Sequence, residues 1–122
     1  MALARVRDTL GPIDILVNNA DIAERAPFSK LEEVLWDRTI AVNPKGAYSC
    51  TRAVIGGMLA CRTGHIISVA SVAGRVGFAY TPAYAQRSTG FGFTRAVALE
   101  VARKRIKAKP SAWTGERVWL ES

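Results

Sequence analysis

Two short runs of apolar, β-branched residues constrain the fold of this chain more than any other feature. Residues 14–18 and residues 65–71 are each nearly all apolar, and Gly11, Pro12 and Gly64 bound them as turn residues. A strand that is apolar on both faces needs cover on both sides, which favours a parallel sheet between helices over an antiparallel sheet with one wet face. The two runs therefore predict an α/β fold.

Helical patterns flank and separate these strands. We expect the end of one helix over residues 2–10 and the start of a second at the capping box Ser29–Glu32. The apolar positions of the second helix share one face: Leu31, Val34, Leu35 and Val42. A third helix is predicted over residues 44–62, closed by Gly64, and a fourth over residues 82–104. This alternation of helices and strands is that of a doubly wound fold.

The net charge of +7 is concentrated near the C-terminus. Residues 1–102 carry eleven basic and eight acidic side chains, whereas residues 103–122 carry six basic and two acidic. Such a segment either binds nucleic acid or is a solvated helix end, where cations suit the helix dipole. No aromatic and basic recognition module surrounds it, so we expect the solvated end and no nucleic-acid partner.

The strand pattern weakens after Ile106. A strand over residues 106–112 is conceivable, but Lys107, Lys109 and Pro110 argue against a central one. We therefore predict one partial Rossmann-like domain over residues 1–106 and a divergent basic tail over residues 107–122.

The sequence offers little support for a disulfide, a metal site or a membrane-spanning helix. Cys50 and Cys61 are about 16 Å apart along one predicted helix, beyond disulfide reach. His65 opens an apolar strand and belongs to no cluster with metal-ligand spacing, so we expect no metal site. No run approaches the roughly 18 to 20 apolar residues of a membrane span, and Arg5 and Asp8 lie where a signal peptide would be apolar. A cytoplasmic protein is expected.

Polar residues from distant parts of the chain should meet at one edge of the predicted sheet. Asn18 and Ser71 end the two strands, and Asn43 lies at the break between two helices. Tyr84 falls in the first turn of the fourth helix. Ligands bind outside the carboxyl ends of the strands in open parallel sheets, so this edge is the predicted site. Asn43 before Pro44 is also a favourable N-cap, and the two roles are compatible.

Four segments, in this order and at these spacings, resemble the short-chain dehydrogenase/reductase family. They are residues 15–20, residues 43–46, residues 68–74 and Tyr84. The resemblance covers roughly residues 2–106 and is of the 3-oxoacyl-acyl-carrier-protein reductase type. It implies an α/β fold class, a partial doubly wound Rossmann-like parallel sheet from the central to C-terminal part of such a domain.

The resemblance also implies a reaction and its residues. Hydride would pass between NAD or NADP and a small carbonyl compound or secondary alcohol. The implied catalytic residues are Asn43, Ser71 and Tyr84, with Tyr84 as acid/base and Ser71 orienting the substrate oxygen. The implied cofactor-binding positions are Asn18, Ala20 and Ser88. A homo-oligomer through the helices over residues 44–62 and 82–104 is the expected assembly.

Three departures from the family pattern favour an alternative. Ser88 occupies the position of the family's lysine, whose charge stabilises the phenolate of the tyrosine. Asp21 replaces a glycine that lets the backbone approach the cofactor, and no glycine-rich phosphate-binding turn precedes residue 15. We therefore expect impaired catalysis and the middle part of a longer domain, with residues 14–18 as an exposed apolar edge. The alternative is a truncated non-catalytic fragment or pseudoenzyme that keeps only its helical association surface.

Overall fold

A computed structural model describes residues 2–71, 79–80, 82, 89–113 and 118–120 of the chain. The helices are α1 (Ala2–Leu10), α2 (Glu33–Val42), α3 (Pro44–Cys61) and α4 (Thr89–Val101). The strands are β1 (Ile15–Asn18), β2 (Gly64–Ser71), β3 (Ile106–Trp113) and β4 (Val118–Leu120). Short 3₁₀ turns at Phe28–Lys30 and Ala102–Lys104 precede α2 and follow α4.

The four described strands form one sheet in the order β1-β2-β3-β4. β1, β2 and β3 are parallel, whereas β4 pairs antiparallel with β3. In the register of the three parallel strands, Leu16 lies beside Ile66, and Ile66 lies beside Ala108. The predicted parallel α/β sheet is therefore confirmed.

The core lies on one face of this sheet. Leu16, Ile66 and Ala108 are buried there against Val54 and Met58 of α3, together with Val101 of α4 in the same cluster. Both parallel connections cross the sheet in the same direction. Right-handed crossovers then place α3 and α4 on the same side. The apolar strands predict cover on both faces of the sheet, and in the described part of the chain these two helices cover one.

The opposite face of β1 is exposed. Ile15 is 61% exposed and Val17 is 52% exposed, although Leu16 between them is buried. β1 is also the terminal strand of the described sheet. The predicted exposed apolar edge at residues 14–18 is confirmed in these two respects.

The helix boundaries differ from the sequence patterns in their caps. The predicted capping box at Ser29–Glu32 is wrong, because a 3₁₀ turn forms at residues 28–30 and α2 is capped by Glu32 without a side-chain hydrogen bond. Val34, expected on the buried face, is 76% exposed. α3 is closed by Arg62 in the left-handed conformation rather than by Gly64.

β3 corrects the expectation for residues 106–112, because it lies between β2 and β4 in the sheet order. Lys107 and Lys109 are exposed while Ile106 and Ala108 are buried, so strand alternation sends both cations to the uncovered face. Pro110 is tolerated because β4 pairs with β3 only from residue 111 onward. Charge and proline in a strand thus exclude a central position only where both faces and both edges are covered.

None of the described helices is long and apolar enough to cross a membrane.

Candidate active site

A cleft of about 290 Å³ opens at the carboxyl ends of β1 and β2. Its wall includes Asn18 at the end of β1, Ala20 in the loop that follows, Asn43 at the junction of α2 and α3, and Ser68 of β2. Apolar side chains complete the lining: Val17, Val42, Ala47, Val69 and Phe93. The structure therefore brings three of the predicted site residues, Asn18, Ala20 and Asn43, to one cleft at the predicted edge of the sheet.

Asn18 connects three elements at the base of this cleft. Its Nδ2 donates to Thr51 Oγ1 of α3 at 3.1 Å and to Ser68 Oγ of β2 at 3.3 Å. Both acceptors are buried, at 4% and 3% exposure. Since the amide group has two N–H donors, both are used within the protein. The Asn18 side chain therefore holds the end of β1 to β2 and α3, and its Oδ1 is an acceptor.

The Asn43 side chain is hydrogen-bonded to the loop that follows β1. Its Oδ1 accepts from the Ile22 amide at 3.0 Å, and its Nδ2 donates to the Ile22 carbonyl at 3.1 Å. The residue is 7% exposed. It occupies the N-cap position of α3 but makes no side-chain cap hydrogen bond there. The predicted N-cap role of the Asn43 side chain is thus wrong, and the residue instead positions the loop that borders the cleft.

A backbone hydrogen bond joins the loops after β1 and β2. The Ala26 amide donates to the Tyr80 carbonyl at 2.9 Å. Tyr80 has a φ of +65°, a left-handed conformation that is uncommon outside glycine. Both loops follow the carboxyl ends of their strands, so this bond ties together the rim on which the predicted site lies.

Ser71 is the last residue of β2 and is 4% exposed. β1 ends at Asn18, which pairs with Ser68, so β2 continues for three residues beyond β1. At roughly 3.3 Å per residue this places Ser71 about 10 Å further along the strand direction. Tyr84 and Ser88, the predicted acid/base and the residue in the lysine position, lie outside the described residues.

Thr51 and Ser68 are the site residues that the sequence analysis missed. Their hydroxyls anchor Asn18. One signal was available for Thr51, because it shares the buried face of α3 with Val54 and Met58 at helical spacing. Ser68 alternates with the buried residues Ile66 and Ala70 of β2, and a polar residue on a buried face requires a hydrogen-bond partner.

No group of three or more His, Cys, Asp or Glu residues that could hold a metal ion occurs among the described residues. Cys50 is half-buried on the cleft wall, and Cys61 is exposed at the end of α3. The polar groups described at this site are amides and hydroxyls.

The fold is that of a known family. The family model for short chain dehydrogenases matches residues 1–112, and the chain belongs to that family. The match ends inside β3, six residues beyond the predicted domain boundary at residue 106. The sequence resemblance that rested on residues 15–20, 43–46, 68–74 and Tyr84 is thereby confirmed at the level of the family.

Two curated relatives illustrate the similarity. A hydroxy(phenyl)methylsuccinyl-CoA dehydrogenase subunit of Thauera aromatica is 43% identical over 99 residues, which is 81% of this chain and 40% of the relative. The 3-oxoacyl-acyl-carrier-protein reductase of Vibrio harveyi is 38% identical over 105 residues, 85% of this chain and 43% of the relative. The chain thus spans about two fifths of the length of these proteins.

Solved structures give the same result. A crystal structure of a gluconate 5-dehydrogenase from Burkholderia cenocepacia, in complex with NADP and tartrate, aligns with a TM-score of 0.86 and 32% identity. The alignment covers 91% of this chain and 44% of that chain. A short-chain alcohol dehydrogenase from Sinorhizobium meliloti aligns with a TM-score of 0.85 and 33% identity. The partial Rossmann-like assignment is confirmed by these neighbours.

Proposed function

We propose that this chain forms the substrate-side part of an NAD(P)-dependent oxidoreductase of the short-chain type. It would transfer hydride between the nicotinamide and a small carbonyl compound or secondary alcohol. One observation supports this proposal most directly: Asn18, Ala20 and Asn43 line a cleft at the carboxyl ends of the strands. The chain that forms this cleft belongs to the short chain dehydrogenase family. This edge is where open parallel sheets bind their ligands.

The role proposed for each residue follows from the requirements of carbonyl reduction. Reduction of a carbonyl requires a proton donor and a hydrogen bond to the reacting oxygen. We assign the proton transfer to Tyr84 and the hydrogen bond to Ser71, the last residue of β2. We assign Asn43 a positioning role, because its side chain makes two hydrogen bonds with the main chain of Ile22 in the loop beside the cleft.

The cleft suits one end of a dinucleotide. Ligand pockets commonly enclose about 300 to 1,000 Å³, and 290 Å³ is just below that range. Ala20 is exposed and small, so the chain after β1 permits close approach of a ring or ribose. The cofactor, when bound, supplies or accepts the hydride. Asn18, Ala20 and Ser88 are the proposed contacts.

A second candidate is a non-catalytic member of the family that retains an association surface on α3 and α4. Ser88 and Asp21 favour it. Serine carries no charge to lower the pKa of the Tyr84 phenol, which is near 10 when unperturbed. The carboxylate of Asp21 adds negative charge beside a site proposed for a phosphorylated cofactor. Homo-oligomerisation through the helices over residues 44–62 and 82–104 and a cytoplasmic location are expected for the oxidoreductase as well, and both stay predictions.

Cofactor titration separates the two candidates. NADH and NADPH are titrated into the 122-residue chain while nicotinamide fluorescence is recorded. Saturable binding supports the oxidoreductase and contradicts the non-catalytic candidate. Absence of binding at millimolar cofactor contradicts the oxidoreductase for this chain.

The role of position 88 is tested by gain of function. Restoring the charge with Ser88→Lys should increase ketone reduction by about 10²- to 10⁴-fold, the usual contribution of general acid/base catalysis. Tyr84→Phe in the Ser88→Lys background should remove that gain. Tyr80→Phe is the matched control, because it deletes an exposed tyrosine hydroxyl four residues earlier in the chain and should leave the rate unchanged. A rate that is insensitive to Tyr84→Phe contradicts the assignment of the acid/base.

A further inference from the structure

We propose that the substrate is an oxo acid and that Arg25 binds the carboxylate at its far end. This substrate class rests on the proposed function, since the carbonyl of the acid would be the group reduced. A second cavity, of about 690 Å³, supports it. Among the described residues, its lining comprises Arg25, Ala26, Pro27, Ala79 and Tyr80.

The main chain is held in place on both sides of Arg25. Three residues earlier, the amide and the carbonyl of Ile22 are both hydrogen-bonded to the Asn43 side chain. One residue later, the Ala26 amide donates to the Tyr80 carbonyl at 2.9 Å. Because both neighbouring segments are tied to other elements, the backbone that carries Arg25 needs little ordering when a ligand binds.

The Arg25 guanidinium is free to bind an anion. Arg25 is exposed, and it makes no ion pair or hydrogen bond with any other described residue. The adjacent Glu24 carboxylate lies 3.2 Å from Arg38 of α2, so this acidic group already has a partner. A guanidinium is planar and can donate two parallel hydrogen bonds to one carboxylate.

The remaining lining of the cavity is apolar or aromatic: Ala26, Pro27, Ala79 and Tyr80. Arg25 is the one charged residue in the described lining, which favours a ligand with a single negative charge on an apolar stem. Only the ring of Tyr80 is needed as a wall, so its hydroxyl is outside the proposed site. A carboxylate at the end of a hydrocarbon chain has this combination of charge and apolar surface.

The cavity lies close to the first cleft. Three residues of extended chain span at most about 11 Å, which limits the distance from Arg25 to Ile22. Ile22 is bonded to Asn43, and Asn43 lines the first cleft. One small molecule can therefore place its carbonyl at the first cleft while its carboxylate contacts Arg25.

Paired acids and esters test the proposal by binding, without turnover. Oxo acids from levulinate to 7-oxooctanoate, and their methyl esters, are titrated into the wild-type chain while NMR shifts are recorded. At least one acid should bind more tightly than its ester. Arg25→Ala should weaken that acid by about 10-fold, the lower end for a hydrogen-bonded charge pair because Arg25 is exposed, and leave the ester unchanged.

Two variants control for general electrostatics. Lys30→Ala removes the same charge from an exposed residue of the nearby 3₁₀ turn that does not line the cavity, so it should bind the acid like the wild type. Arg25→Lys keeps the charge without the two-pronged geometry and should be intermediate. The proposal is wrong if Lys30→Ala equals Arg25→Ala, if each acid binds no better than its ester, or if no acid binds.

NADH and NADPH titrations of the wild type and Arg25→Ala separate this proposal from the proposed function. Dinucleotide binding should be the same in both. If Arg25→Ala weakens NADPH but not the acid, the arginine binds a cofactor phosphate and the proposal is wrong. If the dinucleotides bind but acid binding does not depend on Arg25, the proposal fails and the oxidoreductase stands. If the acid binds through Arg25 but neither dinucleotide binds, the carboxylate site stands and the oxidoreductase fails.

Discussion

At the scale of single residues, the loop that follows β1 depends on the Asn43 side chain. Its amide makes two hydrogen bonds with the main chain of Ile22. Asn43→Ala removes both and leaves part-buried backbone groups without these partners. We expect the free energy of unfolding to fall by about 1 to 3 kcal/mol. Urea denaturation followed by circular dichroism measures the change.

Two further variants make this measurement specific. Asn19→Ala alters an exposed residue of the same cleft, so its effect should stay within about 0.5 kcal/mol. Asn43→Asp retains an acceptor for the Ile22 amide but sets a second carboxylate oxygen against the Ile22 carbonyl in a buried position, so it should be no more stable than Asn43→Ala. If Asn43→Ala is as stable as Asn19→Ala, the two hydrogen bonds between Asn43 and Ile22 contribute nothing to the free energy of unfolding.

Single residues also show how far the sequence predicted the site. Asn18 and Asn43 could be placed at the sheet edge because strand ends and a helix break are local signals. Their partners could not, since Asn18 bonds to Thr51 and Asn43 bonds to Ile22 through contacts 33 and 21 residues apart in the chain. A side-chain cap is worth only about 1 kcal/mol, and at Asn43 the tertiary hydrogen bonds to Ile22 take its place.

At the scale of elements, the junction of α3 and β2 is tightly packed. Gly64 starts β2, and a Cβ atom built there would collide with the Met58 side chain, which is 1% exposed. Because this part of the core has no room to relax freely, Gly64→Ala should destabilise the chain by about 1 to 3 kcal/mol. Thermal unfolding of the variant checks the loss.

A double-mutant cycle assigns the loss to this contact. Met58→Ala alone should cost about 2 to 5 kcal/mol as a cavity in the core. Gly64→Ala added to Met58→Ala should cost much less than it does alone, because the two closest atoms, Sδ and Cγ of Met58, are gone. Additive costs would mean that Gly64 acts through its backbone and not through Met58.

The helices and strands also show which parts of the fold the sequence patterns predict and which they do not. The order of helices and strands through α4 was predictable, because apolar runs and turn residues mark the segments, although Val34 of the predicted apolar face is exposed. The place of β3 was not. Lys107, Lys109 and Pro110 are unfavourable in a covered central strand, but one face of this strand is open and β4 pairs with only its last three residues.

At the scale of the whole molecule, the one-sided core should divide the chain into regions of unequal stability. β2 pairs with neighbours on both edges, and its Ile66 and Ala70 are 1% and 0% exposed. α1 has no buried residue and reaches the core only through the part-buried Leu3. Local opening is easiest where few apolar contacts must break, so α1 should open without the rest.

Native-state hydrogen exchange measures this difference. We expect opening free energies of α1 amides to be lower than those of β2 by about 2 to 4 kcal/mol, or roughly 30- to 1,000-fold in exchange rate. Leu3→Ala should accelerate exchange in α1 alone. Leu16→Ala should accelerate exchange in every element, because Leu16 belongs to the buried cluster between the sheet and α3. Equal protection of α1 and β2 amides would instead mean that the chain opens as a single cooperative unit. The small number of contacts between α1 and the core would then have no effect on local opening.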